Sequence, residues 1–183
     1  GFWWSHIGWL TSRANFATRY HYVKDWAVFP ELRWLNRFDV AVPLVLGTLL
    51  YVFGSILARL APGLETNGAQ LLVWGFFIST TLVLHGTFTV NSVAHLYGSR
   101  RYDTPDTSRN NPIVSLLTLG EGWHNNHHFY AVSARQGFFW WEPDPTYYLL
   151  RLMAWFGIIR DLRPVPDHVR RAAARKAAMP EGN

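Results

Sequence analysis

The sequence predicts an all-α integral membrane fold: a transmembrane helical hairpin joined to a cytoplasmic helical cap rich in histidine. Two observations carry most of this. The stretches Val40 to Ala58 and Ala69 to Val90 contain no charged residue, and each approaches the roughly 20 residues a helix needs to cross about 30 Å of hydrocarbon. Past the second stretch, His95, His124, His127 and His128 follow with no further apolar run between them.

Residues 1–39 read as an interfacial segment. They open on the aromatic run GFWWSHIGWL and continue through Arg13, Arg19, Lys24, Arg33 and Arg37. Of 183 residues, 49% are hydrophobic and 16% charged, with a net charge of +5, 10 Trp and no Cys. That composition argues against a disordered chain and against a disulfide-built module. Lack of Cys also excludes thiolate zinc sites, cysteine-ligated iron–sulfur clusters and a cysteine nucleophile. A metal in this chain must therefore be held by imidazole nitrogen or by oxygen. Because the sequence starts inside an aromatic run with neither initiator Met nor polar leader, it is expected to be the C-terminal part of something longer.

Residues 40–90 form the expected hairpin. Pro43 falls in the first turn of the first helix, where a proline costs least. The connection RLAPGLETNG holds Pro62-Gly63 and the turn pair Asn67-Gly68, which suits a short reversal. Basic residues cluster before the hairpin and again after it at Arg100, Arg101 and Arg109, so both of its ends are expected in the cytoplasm. The competing reading is a buried helical pair in a soluble protein, although these runs exceed most core helices. His85 is the ionisable group within a span. Such a group is a functional candidate by default, or else a neutral imidazole hydrogen-bonded between packed helices.

Residues 91–163 form the expected cap. Asn91 and His95 are four apart and share a helix face, and on a helix His127 and His128 lie about 60° and 40° either side of His124. Three neutral imidazoles on one face suit iron, zinc or copper; the competing reading is a surface cluster that traps metal adventitiously. Gly120 and Gly122 bracket Glu121, as a tight approach into a helix start requires. Asn110, Asn111, Asn125 and Asn126 offer amides able to orient ligands or metal-bound water, or are ordinary loop residues. Asp144 and Pro145 form a cap and first-turn pair for an amphipathic helix through about Arg160. Residues 164–183, including His168, read as a basic, frayed surface helix, either merely solvated or touching anionic lipid or an acidic electron donor.

GFWWSHIGWL (1–10), NSVAHLYGSRRYDTPDTSRNNP (91–112) and GEGWHNNHHFY (120–130), in that order and spacing, resemble the membrane-bound fatty acyl desaturases, specifically the Δ9 acyl-CoA desaturase type. The resemblance implies four membrane-spanning helices under a cytoplasmic cap that carries a histidine-rich di-iron site. By motif, His95, His124, His127 and His128 would be iron ligands and Asn91 would act on one of the two iron ions through a water; His6 and His85 match no ligand position. Two further histidine boxes and another pair of spans would lie before Gly1, so this chain alone is expected to be inactive.

The implied reaction inserts a cis double bond, at Δ9, into a saturated fatty acyl-CoA or acyl-lipid, using dioxygen and two electrons from a donor such as ferredoxin or a b-type cytochrome. Taking hydrogen from an unactivated methylene demands a redox-active metal, which favours iron over zinc. An apolar tunnel would then select the carbon by length and bend, with Trp3, Trp9 and Phe88 as candidate lining among the aromatic residues. Expected surroundings are membrane lipid, in the inner membrane of a bacterium, with the site on the cytoplasmic face; nucleic acid is not an expected partner. Two rival functions remain, a related di-iron alkyl or lipid hydroxylase and a non-catalytic membrane protein.

Overall fold

A computed structural model describes residues 1–178 as helices joined by turns and loops. Among these residues the extended pairing is confined to isolated bridges, Ser99 with Asn110 and Asn110 with Trp123. The chain divides into two compact units, Ile7–His85 and Gly1–His6 with Gly86–Asn183.

Within the first of these, α1 (Pro30–Arg37) begins with its proline at the first helical position, where the missing N–H is no loss. Helix α2 (Ala41–Leu60) and helix α3 (Gly68–Leu96) are each long and apolar enough to cross a membrane. Only 11% and 6% of their most apolar windows are buried. A core helix pair of a soluble protein would bury most of that surface, so the structure speaks against that reading. Between them, Asn67 accepts a hydrogen bond from the Gln70 amide at 3.0 Å and caps α3, as the Asn67-Gly68 turn signal implies.

Glycine sets the approach of these two helices. A methyl group on Gly54 would collide with the Asn67 carbonyl and the Leu71 side chain, and one on Gly68 with the Tyr51 carbonyl and Ser55. Small residues let helix backbones approach where apolar burial supplies no driving force. Hydroxyls in these helices are satisfied internally: Thr48 donates to the Leu44 carbonyl, Ser55 to that of Tyr51 and Thr81 to that of Phe77, at 2.7–2.8 Å. Internal satisfaction of this kind is what a water-free surrounding requires. Helix α3 contains a π-type turn at Val73–Ile78 and continues past Val90 through the NSVAH motif to Leu96.

In the other unit, the C-terminal turns of α3 bury Phe88, Val90, Ser92 and Ala94. His6 is buried as well; its Nδ1 lies 2.9 Å from the Ser92 hydroxyl, and its ring meets Phe88 at 5.6 Å between centroids. Three short helices follow, α4 (Pro112–Leu117), α5 (His124–Phe129) and α6 (Pro145–Trp155). The Asp144 carboxylate accepts from the Tyr147 amide and caps α6, as expected, but the helix stops at Trp155 rather than near Arg160. It closes where the Ile158 N–H donates to the Met153 carbonyl, spanning Gly157, a terminating pattern that the following basic residues do not reveal.

Helix α7 covers Asp167–Ala178. The expectation of a purely surface tail is corrected at its start: Val165 and Val169, 3% and 2% exposed, join Tyr102 and Phe138 in a core cluster. Residues 179–183 of that tail lie outside the described residues.

Candidate metal centre

Helix α5 is six residues long, too short to be stable alone. Its placement depends on the residues between the histidines. Asn125 and Asn126 sit about 100° and 200° around the helix from His124 and are completely buried. Asn125 pairs with one backbone position twice over, accepting from the Tyr102 N–H at 2.8 Å and donating to the Tyr102 carbonyl at 3.0 Å. Asn126 accepts from Asn110 at 2.7 Å and donates to the Gln136 carbonyl and to Glu142 Oε2. Glu142, 1% exposed, is ion-paired to Arg101, whose guanidinium also lies over the Phe139 ring.

This network gives the asparagine amides partners within the fold rather than among the imidazoles. Asn125 and Asn126 hold α5 to the frame, Asn110 pairs with Asn126, and Asn111 caps α4. The buried amides of Asn110, Asn125 and Asn126 are spent on these partners, as burial demands.

The approach into α5 is tight. Leu119 and Gly120 take positive φ values of 58° and 129° in succession. The Leu119 conformation costs about 1 kcal/mol or more, and its carbonyl is held by both the amide and the hydroxyl of Thr146 at 2.9 Å. A side chain on Gly120 would strike the Asp144 carboxylate, and one on Gly122 the backbone of α4 at Ser115. Both glycines are therefore required where the spacing places them.

Opposite the asparagines, the histidines converge. His95 at the end of α3, His124 and His128 each offer a ligand atom, all within 4.8 Å of one another. His124 Nε2 and His95 Nε2 face each other at 3.1 Å. His127 lies beside this trio, its ring centroid 6.0 Å from that of His124 and 5.8 Å from that of His128. Asn91 is half-buried on α3, four residues before His95. Trp3 is 73% exposed, Trp9 is exposed and Phe88 is buried; Trp3 and Phe88 both approach the His6 ring. His85 and His168 are not in the histidine group.

Electrostatics favour lone pairs over charge here. Burial, reinforced by repulsion from His128, His95 and His127, holds the His124 pKa down at about 3. Burial also lowers that of His127, with His128 adding to the effect. Neutral imidazole is the metal-binding form. The Nδ1 atoms of His124 and His127 are buried without a hydrogen-bond partner, an otherwise costly state that a bound cation at this cluster would help offset. The residues present thus fit a nitrogen-preferring divalent metal such as iron.

Asp106 was not singled out by the sequence. Its Oδ2 lies 2.5 Å from His128 Nδ1. Desolvation pushes its carboxyl pKa up, but hydrogen bonds from Ser108 and His128 outweigh that and hold it well below the usual carboxylate range. Thr107 similarly meets His95 Nδ1 at 3.2 Å. The available signal was the position of both residues within the quoted 91–112 motif.

Helices of membrane-crossing length and a cluster of imidazoles define the general class, a helical protein with a nitrogen-rich site. The fatty acid desaturase pattern matches residues 1–142, and the chain belongs to that family. It is 37% identical over 174 residues to an acyl-CoA 5-desaturase of Anemone leveillei, covering 93% of this chain and 50% of the relative. It is 38% identical over 164 residues to an sn-1 stearoyl-lipid 9-desaturase of Anabaena variabilis, covering 89% and 56% respectively. An Arabidopsis thaliana palmitoyl-monogalactosyldiacylglycerol delta-7 desaturase is 34% identical over 166 residues, covering 89% and 41%. The chain therefore spans about half the length of the curated relatives it matches.

Proposed function

We propose that this chain is the C-terminal portion of a membrane fatty acyl desaturase that inserts a cis double bond, at Δ9, into a saturated acyl chain carried on coenzyme A or a lipid. The observation that supports this most is the convergence of His95, His124 and His128 within 4.8 Å in a chain of the desaturase family. His95, His124, His127 and His128 would hold part of a di-iron centre, with Asn91 acting through water and the remaining ligands supplied by preceding sequence. When bound, the iron pair supplies the oxidising power that takes one hydrogen from each of two adjacent methylenes, with dioxygen, two electrons from a ferredoxin or b-type cytochrome, and two protons yielding two waters.

This chain's own residues perform three tasks in that account. Helices α2 and α3 form a transmembrane hairpin whose ends lie on the cytoplasmic face, in keeping with the basic flanks. His124 and His127, kept neutral by burial, present lone pairs without first losing a proton. Trp3, Trp9 and Phe88 contribute apolar lining for a substrate that offers no polar handle near the reacting carbons. The desaturase names of the relatives favour olefin formation over hydroxylation.

The test is product analysis with the complete protein, expressed together with its upstream coding sequence in cells supplied with saturated acyl chains. Accumulation of a cis-olefin supports the assignment, whereas a hydroxylated chain without olefin overturns it. His127→Ala and His128→Ala should each abolish the product, with iron content falling in parallel.

A further inference from the structure

The structure assigns a role to Asp106 that its place in a loop conceals: we propose that it is a positioning residue that fixes His128 with its proton on Nδ1 and its Nε2 lone pair free for metal. The argument begins with the carboxylate. Asp106 Oδ1 accepts from the Ser108 N–H at 2.8 Å and from the Thr104 hydroxyl at 3.1 Å, a local turn of the kind that aspartate forms with the residue two positions on. That turn aims the other oxygen, Oδ2, at His128 Nδ1, 2.5 Å away.

An ionised carboxylate can only accept, so the proton in this contact belongs to Nδ1. A neutral imidazole carries one proton, and Nε2 is then the basic nitrogen. The Thr107 hydroxyl beside His95 can donate or accept, so the same deduction does not extend to His95. Asp106 also supplies negative charge among four imidazoles, since His95, His124 and His128 lie within 4.8 Å of one another and His127 adjoins them. Carboxylate–histidine–metal arrangements orient the ring and raise ligand basicity, and losing the outer partner typically costs about 10- to 100-fold in metal affinity. Because His128 is the most exposed of the three clustered rings, it has the least packing to hold its orientation and depends most on this bond.

The inference rests on the metal-centre reading above, and the experiment separates the two. The complete protein and its Asp106→Ala, Asp106→Asn and His128→Ala variants are titrated with Co2+ in detergent, and 15N spectra of labelled histidine report the tautomers in the metal-free state. Asp106→Ala is expected to weaken Co2+ binding about 10- to 100-fold and to lose the Nδ1–H signature of His128. Asp106→Asn keeps an acceptor oxygen without the charge and should recover part of that affinity, which a purely structural loss would not explain. If His128→Ala weakens Co2+ binding while Asp106→Ala leaves affinity and tautomer unchanged, the role of Asp106 is overturned and the metal centre stands. If His128→Ala also binds Co2+ like the wild type, His128 is not a ligand and both fall. Asp106→Ala and Asp106→Asn weakened equally, with the His128 tautomer intact in each, also overturns the proposal.

Discussion

The unit of residues 7–85 and residues 86–178 of the other unit use opposite means to specify structure. In the former, long helices leave most of their apolar surface uncovered, and their mutual approach depends on glycines that would tolerate no side chain. In the latter, a six-residue helix is fixed by buried amides, a buried carboxylate and a guanidinium. The difference shows where precision is needed. Steric fit suffices to pair two membrane-length helices, but convergence of imidazoles on one point needs directional bonds on the face of α5 turned away from them.

This contrast can be broken at its strongest point first. Arg101→Met leaves the Glu142 carboxylate buried without its cation, and loss of one partner of a buried pair costs about 3 kcal/mol or more. The complete protein should unfold at lower temperature and lose metal affinity, because Glu142 also holds Asn126. A silent Arg101→Met would mean that the cap does not depend on polar pairing. Gly54→Val tests the other region: overpacking against the Asn67 backbone should cost about 1–3 kcal/mol, read by thermal unfolding, with little effect on cap metal affinity once folded.

Acid sharpens the comparison because the depressed histidines lie in the cap. The folded-state pKa of His124, about 3, is below its ordinary 6.5, so the unfolded chain takes up the proton first as pH falls. Metal-free stability contributed by this group is present above pH 6.5 and is lost between there and about 3, by up to about 1.4 kcal/mol per pH unit. Unfolding followed by fluorescence between pH 7 and 5 should show this slope, and His124→Gln should flatten it. The smallest expected effect is at the α3 cap, where Asn67→Ala removes one side-chain acceptor and should cost about 1 kcal/mol, visible as a modest fall in the unfolding temperature.

Much of the helical frame was legible because its signals are local. Charge-free length located α2 and the start of α3 to within two residues, and Asn67-Gly68 marked the turn. The expected span ends at Val90, and the helix continues through Asn91 and His95, which share a face as their spacing implies, to Leu96. Clustering of His124, His127 and His128 followed from helical periodicity. The same periodicity turns Asn125 and Asn126 away from them.

Pairings across the chain were not legible. Asp106 reaches His128 over 22 positions, and Arg101 reaches Glu142 over 41; no local pattern encodes either. Val165, just before α7, and Val169, in its first turn, were hidden by the basic residues around them.

The central claim is that α5 presents metal ligands, and the iron-to-protein ratio of the complete protein tests it most directly. His124→Ala should lose most of the bound iron, while His168→Ala, on α7 and apart from the histidine group, should retain it. Wild-type iron content in the His124→Ala protein would contradict the account.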